Sequence, residues 1–270
     1  LAAPATAPVS VLMQSARSIA GAAENFVTFL SGGIDSSTVT ALMNRLKPGL
    51  ETYTLGTEFG DEYAEAADLA NSLKIPHHRV FATADDAAQH FDRAVFCNET
   101  IDGLTAETLA QLSVLAQAAE RPHTHVVTGY GADLLFGSML RHELYMKVTG
   151  VDDLQSLIER TCWTGEFSPF FAWALGLRVH HLFWDPALMN CAFRIPFDMN
   201  YDGTFEKVIL RSLAEENGWM LHSQAFRKKY ALTDGTQFNR VLSNVFGLAD
   251  KHGYTQKGEH SIARLQKLFH

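Results

Sequence analysis

Cysteine is scarce. Cys97, Cys162 and Cys191 are the only three, they lie far apart, and no CxxC pair exists. That excludes a disulfide framework and a thiolate zinc site. Basic residues are outnumbered, 22 Lys+Arg against 30 Asp+Glu, and the formal charge is -8. With no arginine-rich stretch, an electropositive nucleic-acid platform is excluded. Apolar runs such as Phe170 to Leu175 fall far short of the ~20 residues that a membrane span needs. The first residues carry neither the basic start nor the apolar core of a signal peptide. The histidine pairs His77-His78, His123/His125 and His180-His181 lack a third ligand at a recognisable spacing, so they do not read as a zinc site.

What is present is apolar content, 47% of 270 residues, which is too high for disorder and enough for a sizeable core. The expectation is a soluble, cytoplasmic, globular protein. Residues 1–10 are Ala/Pro-rich and read as a linker to a domain over 11–270. From Asn25 the pattern repeats strand, turn, helix. Phe26 to Leu30 is a β-rich run that stops at Ser31-Gly32-Gly33. Residues 35–46 carry Val39, Leu42, Met43 and Leu46 at helical spacing. A strand over Glu51 to Leu55, closed by Gly56, precedes a helix over 61–73. A strand over His77 to Phe81, helices over 84–96 and 105–119, and a strand over Thr124 to Thr128 follow. Strands alternating with helices predict an α/β fold with a parallel sheet and right-handed crossovers. Beyond residue 138 strand signals fade. The reading is a nucleotide-binding half, 11–138, and a mainly helical half, 139–270.

The chemistry concentrates in Ser31-Gly32-Gly33-Ile34-Asp35-Ser36-Ser37, between a strand and a helix. Two glycines let the backbone approach an anion, and the first N–H groups of the following helix point at it with the positive end of the dipole. The serines add hydroxyl donors, and Asp35 offers a carboxylate to Mg²⁺. No GxxxxGK[ST] occurs, so this is not a Walker site. Gly129-Tyr130-Gly131 lacks the third glycine of a dinucleotide fingerprint.

SGGIDSS resembles the PP-loop of N-type ATP pyrophosphatases. Val126 to Gly137 (VVTGYGADLLFG) resembles the second signature of the asparagine synthetase superfamily, SGEGADELFG. Leu177 to Asp185 and Lys207 to Arg211 (KVILR) are similar to its downstream blocks. Tyr130 and Leu134 stand where asparagine synthetases carry glutamates. Tyrosine in GYGAD is similar to the β-lactam synthetase branch, carbapenam-forming enzymes included, as are NETID at 98–102 and GEFSP at 165–169. The resemblance implies a PP-loop nucleotide-binding core with a largely helical C-terminal part.

It also implies an ATP- and Mg²⁺-dependent ligase. Such an enzyme adenylates the carboxylate of a β-amino acid and closes an internal amide, releasing AMP and pyrophosphate in antibiotic or toxin biosynthesis. Leu30, Ser31, Gly32, Gly33, Asp35, Ser36, Leu55, Gly129 and Lys207 would form the ATP site, with Asp35 and Asp133 as metal ligands. Thr108, Gly131, Ala132 and Asp133 would meet the substrate. Tyr130 and Glu166 would remove the amine proton, and Lys229 would stabilise the tetrahedral intermediate, with Lys228 as a substitute. Taken alone, these three residues read as a turn aromatic, a helix N-terminal acid and a solvated basic run.

Clavam-forming members hold an arginine-derived substrate with a tyrosine and an acid. Their counterparts here are Thr108 and a position near Leu157, close to Glu159. The resemblance therefore favours a carbapenam-type or tabtoxin-like precursor. Members of this type carry an N-terminal glutaminase-like domain, and no match to it is seen here, which disfavours a glutamine-dependent amidotransferase. The expected partners are a small β-amino acid and either a second copy or a separate N-terminal domain, with neither nucleic acid nor membrane. Three alternatives stay open: an intermolecular amide synthetase using ammonia or another amine, a non-catalytic nucleotide-binding subunit, and a sulfur-transferring enzyme, which the lack of paired thiols disfavours.

Overall fold

The computed structural model describes residues 6–119, 125–136, 174–228, 232–250 and 253–269, with isolated positions between 152 and 172. Helix α1 (Thr6–Ala20) comes first. Residues Thr6 to Ser10 were expected in a linker and instead form its opening turns. Pro8 is tolerated there because first-turn N–H groups have no helical partner to lose. Leu12, Ala16 and Ala20, four residues apart, are buried on one face.

There follow β1 (Phe26–Phe29), α2 (Ile34–Leu46), β2 (Glu51–Thr57), β3 (Gly60–Asp61), α3 (Tyr63–Leu73) and β4 (His77–Phe81). Next come α4 (Ala84–Asn98), α5 (Gly103–Ala118), β5 (His125–Thr128), α6 (Ala132–Leu135) and β6 (Arg178–His181). The remaining helices are α7 (Pro186–Ala192), α8 (Val208–Glu216), α9 (His222–Ala225), α10 (Leu232–Thr236), α11 (Phe238–Phe246) and α12 (Tyr254–Phe269).

The sheet runs β4-β2-β1-β5-β6, all parallel, and β3 pairs antiparallel with the end of β2. Three details depart from the expectation. Strand β2 continues through Gly56 to Thr57, because the missing side chain makes room for the Tyr63 ring: a Cβ at Gly56 would stand 2.5 Å from Tyr63 Oη. Asp61 belongs to β3, so the helix begins at Tyr63. Arg178 to His181, in the stretch where strand signals fade, adds a fifth parallel strand, β6, beside β5.

From β1 the chain moves to β2 and β4 on one side, then crosses to β5 and β6 on the other. The sheet order therefore reverses between β1 and β5. Right-handed crossovers put α2 and α3 on one face and α4 and α5 on the opposite face. Two separate cores agree with this. One gathers Leu12, Leu42, Leu69, Phe183 and Leu210, and the other Phe91, Leu115, Phe238 and Leu242. The crevice at such a reversal, beyond the C-terminal strand ends, is where open α/β sheets hold ligands. The two glycine-rich segments follow β1 and β5, so the topology brings them together there. Among the described residues no helix is long and apolar enough to cross a membrane.

Candidate active site

The loop after β1 is held from three directions. Leu30 donates its N–H to the Tyr53 carbonyl at 2.9 Å, and Thr54 Oγ1 donates to the Leu30 carbonyl at 2.5 Å. Gly32 has φ +70, and a Cβ on it would lie 2.5 Å from Glu65 Cβ and 2.9 Å from the Glu65 carbonyl carbon. Only glycine fits this left-handed turn against α3. Ser36 Oγ accepts from Ser31 N–H at 3.1 Å, lies 3.0 Å from Ser31 Oγ, and donates to the Gly33 carbonyl at 3.2 Å. Gly33 is the N-cap of α2 and supplies no side-chain cap. The first-turn amides of a long helix, unclaimed by a capping side chain, form an anion cradle.

The second loop lies directly against the first. A Cβ at Gly129 would stand 2.7 Å from the Asp35 carbonyl carbon and 2.8 Å from Ser36 N. Gly131, at φ +94, makes the same kind of close approach to Trp184, whose Nε1 would lie 2.4 Å from an added Cβ. Between these glycines, the Tyr130 N–H donates to Thr128 Oγ1 at 3.4 Å, and Thr128 Oγ1 is 2.6 Å from His181 Nδ1. The Tyr130 and His181 rings are tilted with centroids 5.8 Å apart. Burial, then the neighbouring His180, pushes His181 down to about 4, so its imidazole is neutral near pH 7. The missed strand β6 thus supplies a wall to the site.

The charged centre is Lys207. Its Nζ is 2.5 Å from Asp35 Oδ2 and 2.5 Å from Asp133 Oδ1. The lysine side chain is only 7% exposed. Burial alone would lower its pKa, but Asp133 and Asp35 outweigh burial and raise it, so the group is an ammonium. Lys207 holds φ 57 at the N-cap of α8, a left-handed conformation that is uncommon for a non-glycine residue. One turn on, the buried Arg211 donates from Nε to the Glu206 carbonyl (2.7 Å) and from Nη1 to the Ala225 (2.5 Å) and Arg227 (3.2 Å) carbonyls. Arg227 in turn pairs with Asp68 at 2.5 Å. These bonds hold the backbone leading to Lys228, which is exposed.

The structure therefore brings together Leu30, Ser31, Gly32, Gly33, Asp35, Ser36, Gly129, Tyr130, Gly131, Ala132, Asp133 and Lys207. Leu55 is buried on β2 beside the Leu30 anchor. Thr108 is half-buried on α5, and among the described residues no hydrogen bond links it to the two loops. Glu166 and Lys229 lie outside the described residues. Thr128, His181, Trp184 and Arg211 were missed as site residues. All four lay inside motifs read from the sequence, Thr128 in VVTGYGADLLFG, His181 and Trp184 in the block from Leu177 to Asp185, and Arg211 at the end of KVILR, but none was singled out.

The family model for asparagine synthase matches residues 10–166, more than half of the chain and both glycine motifs. The chain belongs to the asparagine synthase family. Among curated relatives it is 28% identical over 184 residues to the carboxyethyl-arginine β-lactam synthase of Streptomyces clavuligerus, covering 68% of this chain and 35% of that protein. It is 25% identical over 240 residues to the glutamine-hydrolysing asparagine synthetase of Sandersonia aurantiaca, covering 80% of this chain and 45% of that protein. The chain thus spans less than half the length of these relatives. Among solved structures, NMN synthetase from Francisella tularensis superposes with a TM-score of 0.45 at 14% identity, covering 95% of this chain and 93% of that one. In this asparagine synthase member the two glycine loops lie face to face at the sheet reversal.

Proposed function

We propose that this chain is the synthetase part of an ATP-dependent, AMP-forming enzyme. It adenylates the carboxylate of a β-amino acid and closes an internal amide, a β-lactam. The observation that carries the reading is the convergence of Asp35 and Asp133, from two different strand ends, on one cation beside the anion cradle of α2.

That convergence also tests the fit of a divalent ion. Asp35 and Asp133 already hold one positive centre between them, and among the described residues no group of three or more His, Cys, Asp or Glu gathers around a metal. Two carboxylates are the donor set suited to Mg²⁺, which takes its other ligands from substrate phosphates and water. When bound, the ion offsets the charge of the triphosphate and of the leaving pyrophosphate.

The chain's own residues do the rest. The first-turn amides of α2 and the Ser31 and Ser36 hydroxyls hold phosphate oxygens, while Lys207 supplies a mobile positive charge among them. The substrate carboxylate attacks the α-phosphorus, and the bond to pyrophosphate breaks. The amine of the same molecule then attacks the activated carbonyl, and AMP leaves. By resemblance Tyr130, whose backbone N–H meets Thr128 and whose ring lies beside His181, takes the amine proton. By resemblance, Glu166 orients that phenol and Lys229 stabilises the tetrahedral oxyanion.

By resemblance, Thr108, short and uncharged, replaces the tyrosine that the clavam-forming members place around a guanidinium. An unpaired cation in a closed site is costly, so a substrate without an arginine side chain is favoured. A panel of β-amino acids incubated with MgATP, read by mass spectrometry, tests this. Loss of one water from a substrate with no added amine supports the cyclase, and turnover of carboxyethyl-arginine overturns the substrate assignment. The 25% identity to an asparagine synthetase over 240 residues favours a second reading, intermolecular amide formation. That reading predicts product only when ammonia is added.

A further inference from the structure

We infer that Lys207 is a specificity residue: it lets the Asp35–Asp133 pair accept a divalent cation only together with a polyphosphate. The inference rests on the proposed metal role of the two aspartates and adds an order of events to it.

The geometry is restrictive. Lys207 Nζ lies 2.5 Å from a carboxylate oxygen of each aspartate, and its side chain is almost completely buried. Its ammonium therefore sits where a shared divalent ion would bridge them. The two cannot occupy that place together. An ion arriving alone must displace the ammonium, and the displaced charge then lies beside a second cation inside a desolvated crevice. Like charges at such separations repel strongly when water is excluded.

Polyphosphate changes the balance. Its oxygens give the ammonium a new partner at the cradle formed by Gly33 and the first turn of α2, the turn that carries Asp35. The lysine's four-carbon stem, rooted at the N-cap of α8, allows the head to swing while its backbone stays fixed. Metal and polyphosphate thus favour each other's binding through Lys207, a coupling that acts equally in both directions. The crevice stays closed to free divalent ions and opens to the metal–polyphosphate complex.

The test measures binding rather than turnover, on the whole chain, with Mn²⁺ as a paramagnetic probe. Two ligands are compared, Mn²⁺ alone and Mn²⁺ with inorganic pyrophosphate. The wild type is expected to bind Mn²⁺ alone weakly and the pair tightly. Lys207→Met should reverse the pattern, binding Mn²⁺ alone about tenfold tighter than wild type while losing affinity for the pair by a similar factor. Lys207→Arg keeps the charge and should reject free Mn²⁺ as the wild type does. Weakening of both ligands in Lys207→Met, with an unchanged thermal midpoint, would overturn the inference, as would free Mn²⁺ binding equally to wild type and variant. Asp35→Asn separates this from the underlying reading. If the pair binds wild type but not Asp35→Asn, the metal role stands whatever Lys207 does. If Asp35→Asn binds both ligands like wild type, the metal role itself fails.

Discussion

Gly129 presses its bare backbone against Asp35: an added Cβ would stand 2.7 Å from the aspartate's carbonyl carbon and 3.0 Å from its Cβ. This contact joins the two glycine-rich segments, far apart in sequence, into one crevice. It sets the spacing between Asp35 and Asp133 that lets both reach Lys207.

Gly129→Ala should therefore damage both folding and binding. The methyl group meets backbone, which cannot swing away, so the loops must part. The expected destabilisation is ~1–3 kcal/mol, in the range of small overpacking changes. MgATP affinity, measured by calorimetry, should fall by about tenfold or more, which corresponds to ~1.4 kcal/mol. Wild-type affinity in this variant would show that the loops do not share one ligand.

Tyr130→Phe should separate the half-reactions. Activation of the carboxylate, followed as substrate-dependent pyrophosphate release, should persist. Ring closure should drop by about a hundredfold or more, the usual contribution of a general base. Thr128→Val removes the hydroxyl that accepts the Tyr130 N–H and contacts His181, and should slow closure in the same direction by a smaller factor. Equal loss of both half-reactions in Tyr130→Phe would count against its role as base.

A further prediction concerns stability. Glu107 on α5 and Lys257 on α12 are both fully buried and pair at 2.7 Å. Burial, partly countered by Lys257, pushes Glu107 up to about 7. The folded state thus retains a proton that the unfolded chain releases near pH 4.5, the ordinary value. Folding is favoured most below that pH, and the contribution is lost as pH rises toward 7. Between pH 5 and 8 the urea midpoint of wild type should fall relative to that of Glu107→Gln, a difference that isolates this group from the buried histidines, whose lowered pKa values act in the opposite direction. Lys257→Met leaves the carboxyl without its charge partner and should cost ~3–5 kcal/mol near neutral pH.

These examples also indicate what a reader of the sequence can find. Strands β1, β4 and β5 are short β-branched or aromatic runs next to strong helical periodicity, so they stand out. The two glycine motifs stand out because both need backbone without Cβ at fixed places. Strand β6 is hidden because Arg-Val-His-His at the sheet edge is only partly buried and carries little apolar signal. Helix α1 is hidden because alanine and proline suggest a linker, while its burial depends on partners much later in the chain. The Lys207 bridge and the Glu107–Lys257 pair join residues 172 and 150 positions apart. No local pattern announces such partners. His181 and Trp184 enter the site through β6 and the turn after it; the block from Leu177 to Asp185 stood out by resemblance, but nothing local tells which of its side chains face the loops.

In the proposed reaction the bound carboxylate attacks the α-phosphorus of ATP, and Asp35 is needed for it. The most direct measurement is nucleotide chromatography after incubating the protein with MgATP and the β-amino acid panel, for wild type and Asp35→Asn. AMP and pyrophosphate are expected in equal amounts, only when a substrate carboxylate is present, and neither from Asp35→Asn. Substrate-dependent formation of ADP and phosphate, or AMP formation undiminished in Asp35→Asn, would contradict it.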